Sequence, residues 1–486
     1  MKLFFLFISI FFLVFERLHA QTQAKDFQAF FSQWEQAPDT RTASLGFCAA
    51  YIGDTTEEIF AYQADKSLIP ASTLKLTTTL TALEVLGTDF RFQTLLEHNG
   101  FVDTAGILHG DLFLTGGGDP SLAYPDEKKL WEEWYKALQK AGIQSVQGRI
   151  IADARYFDEQ MTPGTWTWED LGNYYGAGVS GLNFHRNEYA LFFQTGAPET
   201  AATFLRIEPE LPELQLIHEL TAGTEGSGDN SFIYGSPYTY LRYIRGSIAP
   251  NRSSFRVRGA LPDPAKQAAE SFLYFLKQKN IPVSGGATTY RLLRGQTPPD
   301  QIGKKILART LSQPLSALTQ ETNRHSLNLY AEAFLKMIGR ELARDPSQQA
   351  AAEALKNWWA AQGLDMQGFF MEDGSGLSRY NALTTRQQVQ MLAWAFKRPY
   401  FETLYAGLPI AGVSGSLRHF AKGTRAANNL RAKSGYLRRV KGYTGYVQTR
   451  SGRWVAFSMI VNHYALTNAE MNRQLERLMV LLAELD

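Results

Sequence analysis

The stretch Pro70-Ala71-Ser72-Thr73-Leu74-Lys75-Leu76 decides how the whole chain is interpreted. The pattern after the proline predicts a helix that runs to about residue 86, where a glycine gives a stop signal. Ser72 and Lys75 are three residues apart, so their side chains lie on one face of this helix. A serine hydroxyl is a poor nucleophile until a base takes its proton, and a lysine desolvated by apolar neighbours can be that base. Taken alone, however, the tetrapeptide 72–75 is better explained as a helix cap beside a solvated lysine.

Two further short motifs change that interpretation. Ser326-Leu327-Asn328 stands at the start of a predicted helix, 326–342, and Lys433-Ser434-Gly435 lies on a predicted strand, 429–436. Each is ordinary when taken singly, as a helix cap and as a strand with a glycine. Together with the first motif, in this order and on these elements, they match the S-x-x-K, S-x-N and K-[ST]-G triple of serine acyl-enzymes. The joint occurrence predicts nucleophilic acyl transfer.

Hydrophobic periodicity around the motifs predicts an α+β fold. The elements expected at the two ends are a helix at 24–36, strands at 42–52, 57–63, 429–436, 440–449 and 453–463, and a helix at 466–485. Strands from both ends would form a single antiparallel sheet with helices on both faces. Between them, short strand-like runs alternate with Gly, Pro and Asp turns. The predicted organisation is one discontinuous domain, 21–92 and 305–486, interrupted by a mostly β insertion, 93–304.

Composition excludes several other classes of protein. A chain of 486 residues is too long for one hydrophobic core, so more than one domain is expected. The 49 Lys and Arg nearly balance the 47 Asp and Glu, and no basic run suggests a nucleic-acid partner. Cys48 is the single cysteine, so it forms no intrachain disulfide, and the surrounding apolar run predicts a buried strand. The eight histidines show no H-E-x-x-H spacing, and no metal site is predicted.

The amino-terminal residues have the pattern of a secretory signal. Lys2 precedes an apolar run from Leu3 to Phe15, and the small residue Ala20 ends the stretch. The alternative, a membrane anchor, needs about 20 apolar residues, and this run is shorter. Residues 1–20 are therefore predicted to be a signal peptide. The mature protein is expected to be exported to the periplasm in soluble form without a transmembrane anchor.

The three motifs and several longer segments resemble one known family. These segments are Leu114-Thr115-Gly116-Gly117-Gly118-Asp119-Pro120-Ser121-Leu122, Tyr174-Tyr175-Gly176-Ala177-Gly178-Val179-Ser180, Asp373-Gly374-Ser375-Gly376-Leu377-Ser378-Arg379 and Gly412-Val413-Ser414-Gly415-Ser416-Leu417. Over nearly the whole mature chain, the sequence is similar to the three-domain, low-molecular-mass penicillin-binding proteins of the D-alanyl-D-alanine carboxypeptidase/endopeptidase type, serine peptidase family thirteen. That family inserts two accessory domains between its first two motifs, which here lie 254 residues apart. The resemblance implies the serine β-lactamase/D,D-peptidase-like transpeptidase fold.

The resemblance also implies a role for each motif residue. Ser72 would attack the carbonyl between two D-alanines, Lys75 would remove its proton, and Ser326 would relay that proton to the leaving amine. The implied substrate-binding residues are Asn328, Lys433, Ser434, Gly435 and Tyr436. Backbone N–H groups of Ser72 and Tyr436 would form the oxyanion hole. Water would then hydrolyse the ester, so no cofactor is implied.

The motifs depart from the family pattern at three positions. Leu327 stands where many relatives carry Asp, and Ser434 replaces Thr but keeps the hydroxyl. Tyr436 stands where Thr or Ser is common, beside the implied oxyanion donor. Because that donor is a backbone group, the change affects the expected substrate preference more than the expected catalysis.

The implied activity is that of a D,D-carboxypeptidase that binds penicillin covalently. Its implied partners are peptidoglycan stem peptides and β-lactam antibiotics. The same chemistry would also make it an endopeptidase that opens cross-links. Two alternatives stay open, a β-lactamase or esterase of the same fold, and an inactive cell-wall-binding protein. The role of the insertion and the oligomeric state are also open.

One aromatic segment lies outside the motifs. Trp166-Thr167-Trp168 could stack on sugar rings, although core packing is the preferred interpretation of both tryptophans.

Overall fold

A computed structural model describes residues 25–296 and 303–486 of the chain. The predicted signal peptide, 1–20, lies outside the described residues. Contacts between residues divide the chain into two compact units. The first contains the residues up to Thr88 together with Ser316–Ser326 and Ala352–Asp486, and the second contains Asp89–Leu315 and Leu327–Ala351.

The described residues form nineteen strands. They are β1 Ser44–Ile52, β2 Thr56–Tyr62, β3 Gln93–His98, β4 Phe101–Val102, β5 Ile107–His109, β6 Leu112–Thr115, β7 Ser145–Val146, β8 Ile150–Asp153, β9 Glu188–Thr195, β10 Thr203–Glu208, β11 Gln215–Ala222, β12 Asp229–Tyr234, β13 Leu241–Ile248, β14 Arg252–Ala260, β15 Ala287–Thr289, β16 Lys305–Leu311, β17 Arg431–Leu437, β18 Val440–Gln448 and β19 Trp454–Asn462.

Eleven α-helices lie in the same described ranges. They are α1 at 25–36, α2 Leu74–Leu86, α3 Glu127–Lys140, α4 Trp168–Leu171, α5 Pro264–Gln278, α6 Leu315–His325, α7 Asn328–Ala343, α8 Gln348–Ala361, α9 Thr385–Phe396, α10 Phe401–Ala406 and α11 Asn468–Ala483.

The first unit is built on one antiparallel sheet with strand order β17-β18-β19-β1-β2. β1 pairs with β19 from Ser44 opposite Asn462 to Ile52 opposite Trp454, so the two ends of the chain meet in the middle of the sheet. This confirms the predicted sheet. β1, β18 and β19 are buried almost throughout, and in β1 and β19 this burial explains the nearly continuous apolar runs.

Helices cover both faces of this sheet, as predicted. Because side chains alternate along a strand, Phe47 points to one face and packs against the rings of Phe27 and Phe31 of α1. α11 contributes to the same apolar core. On the opposite face Gln388 of α9 accepts hydrogen bonds from the hydroxyls of Thr444 and Ser458, both at 2.7 Å.

The second unit contains four smaller sheets over a separate core. A five-stranded sheet has the order β15-β8-β6-β3-β16, and three three-stranded sheets have the orders β10-β9-β14, β11-β13-β12 and β4-β5-β7. The core includes Trp131 and Trp134 of α3 and Phe272 of α5. The sequence interpretation omits α3, although Asp126 caps it and its apolar residues have helical spacing.

The predicted boundary between insertion and carboxyl-terminal domain, 304/305, differs from the grouping in the structure. β16 pairs antiparallel with β3 over Lys305–Leu311 and therefore belongs to the second unit. α7 also falls in that unit. The boundaries 21–92, 93–304 and 305–486 remain a proposal. Among the described residues, no helix combines the length and apolarity that a bilayer crossing requires.

Candidate active site

The turn that carries Ser72 leads directly into a buried helix. Ala71–Thr73 form a 3₁₀ turn that continues as α2, and Gly87 ends that helix with φ +84°, as predicted. Ser72 is partly exposed, whereas the Lys75 side chain is fully buried. Lys75 Nζ donates a hydrogen bond to Ser72 Oγ at 2.9 Å. The structure thus brings these two predicted residues together.

A second segment fixes Lys75 from the side. Lys75 Nζ also donates to the backbone carbonyl of Ser375 at 2.6 Å. The carboxylate of Asp373 shapes that loop by accepting the N–H groups of Gly376 and Ser378, both at 2.6 Å. Sequence reasoning quoted this segment for the resemblance but assigned it no role in the site. Its contribution is a backbone carbonyl, which no side-chain pattern reveals.

Gly376 permits the loop to approach the nucleophile turn. It has φ +80°, and a Cβ atom there would lie 1.9 Å from the carbonyl oxygen of Ala71. No other residue fits at that distance, and the left-handed conformation itself favours glycine.

The two residues Lys433 and Ser326 form the opposite side of the candidate site. Lys433 is buried, and its Nζ donates to Ser326 Oγ and to the carbonyl of Ser434, both at 2.9 Å. Burial lowers the pKa of Lys433 well below its ordinary value, and the charge of Lys75 lowers it further. Two buried ammonium groups disfavour each other, so the site favours one neutral lysine.

The prediction that Ser326 opens a helix is wrong. Ser326 has φ +58° and lies between the end of α6 at His325 and the start of α7 at Asn328. Its left-handed backbone interrupts the helical conformation, so α7 begins two residues later than the apolar periodicity predicts. The interruption places the Ser326 hydroxyl within reach of Lys433 rather than at a helix cap.

Strand β17 brings the third motif against the nucleophile turn. A Cβ atom on Gly435 would lie 2.5 Å from the carbonyl of Pro70 and 3.2 Å from the nitrogen of Ser72. The glycine therefore allows β17 to lie close to the nucleophile turn. The Ser434 hydroxyl donates to the hydroxyl of Ser416 at 2.8 Å, a neighbour to which the sequence analysis assigned no role.

Tyr436 and Asn328 are the remaining predicted site residues. The side chain of Tyr436 is 55% exposed, and Lys441 Nζ lies 5.0 Å from its ring centroid. Asn328 begins α7 in the second unit, where its amide nitrogen donates to the carbonyl of Tyr175 at 2.7 Å. Its implied contact with substrate remains a proposal.

The described ranges 25–296 and 303–486 hold no group of three or more His, Cys, Asp or Glu placed to bind a metal ion. Cys48 lies buried in β1 as predicted, and burial raises the pKa of its thiol to about 12. The reactive groups that the first unit assembles are a serine, two buried lysines and a set of hydroxyls.

A serine hydroxyl bonded to a buried lysine, beside a sheet-edge strand with a second buried lysine, defines a serine hydrolase that works by acyl transfer. Residues 29–485 match the D-Ala-D-Ala carboxypeptidase 3 (S13) family. The chain belongs to this family. The predicted family, fold class and enzyme class, a serine D-Ala-D-Ala carboxypeptidase, are confirmed.

Individual proteins agree with this assignment. The chain is 30% identical over 424 residues to the D-alanyl-D-alanine carboxypeptidase of Actinomadura sp. strain R39, covering 85% of this chain and 76% of that one. It resembles the crystal structure of penicillin binding protein 4 from Haemophilus influenzae with TM-score 0.77 and 23% identity, covering 93% and 99% of the two chains. The complex of that protein with a β-lactam matches with TM-score 0.74 and 22% identity, over 94% and 99%.

Proposed function

We propose that this D-Ala-D-Ala carboxypeptidase hydrolyses the terminal bond of peptidoglycan stem peptides through an ester on Ser72. The observation that carries the proposal is the 2.9 Å hydrogen bond between Ser72 Oγ and the fully buried amine of Lys75. A neutral amine at this position can accept the hydroxyl proton as the oxygen attacks the carbonyl between the two D-alanines.

The close approach of β17 supports an oxyanion hole at the nucleophile. A Cβ atom on Gly435 would lie 3.2 Å from the Ser72 nitrogen, so the glycine lets the strand pass close to the nucleophile turn. The N–H groups of Ser72 and of Tyr436, the residue after this glycine, would donate to the oxygen that becomes negative in the tetrahedral intermediate. Because the donors belong to the backbone, the tyrosine side chain can vary without loss of this function.

Ser326 and Lys433 take part in returning the proton to the leaving group. The proton taken by Lys75 must reach the amine of the departing D-alanine before the C–N bond breaks. The Ser326 hydroxyl, held by Lys433, can pass its proton to that amine and take up the proton that Lys75 holds, which returns Lys75 to its neutral form. Water then attacks the ester, and the products are the shortened peptide and free Ser72.

The terminal carboxylate of the substrate needs cationic and hydroxyl partners. Lys433 supplies the positive charge, and the adjacent hydroxyls of Ser434 and Ser416 supply hydrogen bonds. Asn328 would bind the substrate amide. The endopeptidase reaction follows the same steps, with a cross-linking side-chain amine as the leaving group in place of free D-alanine.

The surroundings of the enzyme are part of the proposal. We propose that residues 1–20 direct export and that the enzyme acts in the periplasm, where cross-linked wall is accessible. We also propose that penicillin acylates Ser72, and the complex of the Haemophilus influenzae protein with a β-lactam supports binding of this class of compound here. Of the two alternatives, an inactive wall-binding protein is disfavoured by the intact Ser72–Lys75 hydrogen bond.

The decisive experiment compares covalent labelling with product release. Mature protein is incubated with a fluorescent penicillin and, separately, with a peptide ending in D-Ala-D-Ala. Wild type should be labelled and should release D-alanine. In Ser72→Ala and Lys75→Ala, both the labelling rate and the release of D-alanine should fall by at least about 10³-fold.

Lys66→Ala is the matched control for the lysine variant because Lys66 is exposed and lies outside the site. It should keep full activity. Normal labelling of Lys75→Ala would remove Lys75 from the base role. Fast turnover of penicillin without D-alanine release would instead identify a β-lactamase.

Digestion of purified cross-linked peptidoglycan separates the two peptidase activities. Mass analysis reports lost D-alanine for the carboxypeptidase and conversion of dimeric into monomeric muropeptides for the endopeptidase. Intact dimers after complete loss of terminal D-alanine would rule out the endopeptidase reaction.

A further inference from the structure

One face of the sheet β11-β13-β12 carries a row of apolar side chains in the second unit. Tyr234 of β12 is the register partner of Tyr243 in β13, and Ile217 of β11 is the partner of Tyr243 on its other side. Register partners in neighbouring strands point to the same face. Trp168 of α4 extends the row past β12.

The rings of this row lie close enough to form a continuous platform. The centroids of Trp168 and Tyr234 are 6.3 Å apart, and those of Tyr234 and Tyr243 are 6.2 Å apart. Trp168 is 58% exposed and Ile217 is 52% exposed. Trp166, two residues before, is only 5% exposed, so core packing explains one of the two tryptophans and not the other. Trp168, Tyr234 and Tyr243, together with Ile217 at one end, form the aromatic row.

The opposite face of the same sheet explains why the row is not a core element. Leu220, Ile233 and Ile244 point to that opposite face and belong to the apolar core of the unit. The sheet therefore already buries one side, and the stability of the fold does not require large aromatic side chains on the other. Exposed clusters of this kind mark interaction sites.

The polar surroundings of the row indicate what kind of partner it fits. The Tyr243 hydroxyl donates to Glu219. The exposed Arg245 is the register partner of Phe232, two residues along the strands from the Tyr234–Tyr243 pair and on the same face. A pyranose ring has an apolar C–H face and hydroxyls around its edge, so aromatic faces bordered by hydrogen-bonding groups complement it. Arg245 would also attract the carboxylates carried by wall polymers.

A second copy of the chain is a poorer occupant. Stable dimers bury about 800 Å² on each partner. The row is one side chain wide, and its two tyrosines are already half-buried, so little area remains to be covered. A single polysaccharide strand requires only such a narrow platform.

We infer that the aromatic row of the second unit binds the glycan strand of peptidoglycan by stacking on its sugar rings. The inference rests on the proposed function only in that it takes the wall polymer as the substrate. It assigns part of the inserted region the task of holding the enzyme on the polymer.

The test is cosedimentation of the full mature chain with insoluble wall material. One sample is intact peptidoglycan, and the other is glycan from which an amidase has removed the stem peptides. The double variant Trp168→Ala/Tyr243→Ala should bind both materials about tenfold more weakly than wild type, since each stacking contact contributes a few-fold. Tyr274→Ala is the matched control because Tyr274 is 64% exposed on α5 and lies outside the row.

Hydrolysis of a soluble D-Ala-D-Ala peptide is measured in parallel. It should be unchanged in the double variant, which also shows that the variant is folded. Absence of hydrolysis in wild type would count against the proposed function and not against glycan binding. Equal sedimentation of wild type and double variant, or binding lost when stem peptides are removed, would overturn the inference. So would a wild-type dimer in sedimentation velocity that the double variant converts to monomer.

Discussion

Two lysines with different environments share the candidate site. Lys75 donates to one hydroxyl and one backbone carbonyl, and Lys433 donates to the same kinds of group. Burial disfavours the protonated form of Lys433 and lowers its pKa well below the ordinary value. The site therefore holds fewer protons than two surface lysines would, and this is the condition under which a lysine can act as a base near neutral pH.

The pH dependence of activity follows from Lys433. Its pKa is held well below 10.5 by burial and by the charge of Lys75, so its ammonium loses the proton at a lower pH than a surface lysine. If that charge binds the terminal carboxylate, kcat/KM for the peptide should fall as the pH rises through this lowered pKa. Lys433→Gln should reduce kcat/KM by about 10²-fold at neutral pH and abolish the alkaline decline.

The measurement is kcat/KM for a soluble peptide between about pH 6 and about pH 10, a range that extends well below the ordinary pKa of lysine. Lys66→Gln should reproduce the wild-type profile. An alkaline decline that persists in Lys433→Gln would assign the titration to another group.

At the scale of elements, one loop and one strand converge on the turn 71–73. Gly376 and Gly435 each allow a backbone approach that a Cβ atom would block. The turn also contains Ala71 at φ +48°, an uncommon conformation for a residue with a side chain. Neighbouring segments hold this conformation, so the position of the nucleophile depends on parts of the chain about 300 residues away.

Gly376→Ala is predicted to disrupt this arrangement. Its Cβ would lie 1.9 Å from the Ala71 carbonyl oxygen, so the loop or the turn must move. We expect a loss of about 3 kcal/mol in unfolding free energy and a penicillin acylation rate reduced by at least about tenfold.

Gly363→Ala provides a matched control for Gly376→Ala. Gly363 has a similar φ of +88°, but nothing lies within 4 Å of an added Cβ. It should cost only the conformational preference, about 1 kcal/mol, and leave acylation unchanged. Equal effects of the two substitutions, measured by denaturant unfolding and stopped-flow acylation, would contradict the steric explanation.

β18 contains a buried lysine outside the reaction path. Lys441 donates to Asn468 Oδ1 at 3.1 Å, and burial lowers its pKa to about 8. Between pH 8 and 10.5 the unfolded chain binds more protons at this position than the folded one, so raising the pH through this range stabilises the wild type.

Lys441→Met should remove that cost. We expect the variant to be more stable than wild type by about 2 kcal/mol near neutral pH, after allowance for the lost hydrogen bond. Denaturant unfolding at several pH values should show the advantage of the variant shrinking as the pH rises from 8 toward 10.5. A difference independent of pH would mean that the charge of Lys441 is not responsible.

Sequence patterns predicted those elements whose burial is decided by local apolar spacing. β1, β18, β19, α2 and α11 were all expected within a few residues of their observed ends, because their side chains face a core. The start of α7 was predicted two residues early, because the left-handed backbone of Ser326 leaves no mark in the apolar periodicity, and α6 was not predicted. The Asp373 loop and Ser416 were not assigned to the site because their contribution depends on distant segments meeting in space.

At the scale of the whole molecule, the sheet of the first unit is built from segments about 400 residues apart in the sequence. β1 and β2 are made early, whereas β17, β18 and β19 come from the last part of the chain. Pairing over such a separation is slow to form, because a long loop must close before any contact compensates for its entropy.

A truncated chain tests how far the site depends on this pairing. A variant ending at residue 428 retains Ser72 and Lys75 but lacks Lys433 and three of the five strands. We expect it to take up no fluorescent penicillin and to lose the near-ultraviolet circular dichroism of the first unit. Labelling at the wild-type rate would show that the turn 71–73 forms without the sheet.

The meeting of the two chain ends in one sheet also bears on the timing of biosynthesis. During synthesis, Ser72 leaves the ribosome long before β17, the strand that completes the site, has been made. A product released before β17 would therefore lack the strand that completes the site and would be inert toward the wall. Hydrolytic capacity appears only once β17, β18 and β19 have been made, so a nascent chain carries its nucleophile for most of its synthesis without being able to act on the wall.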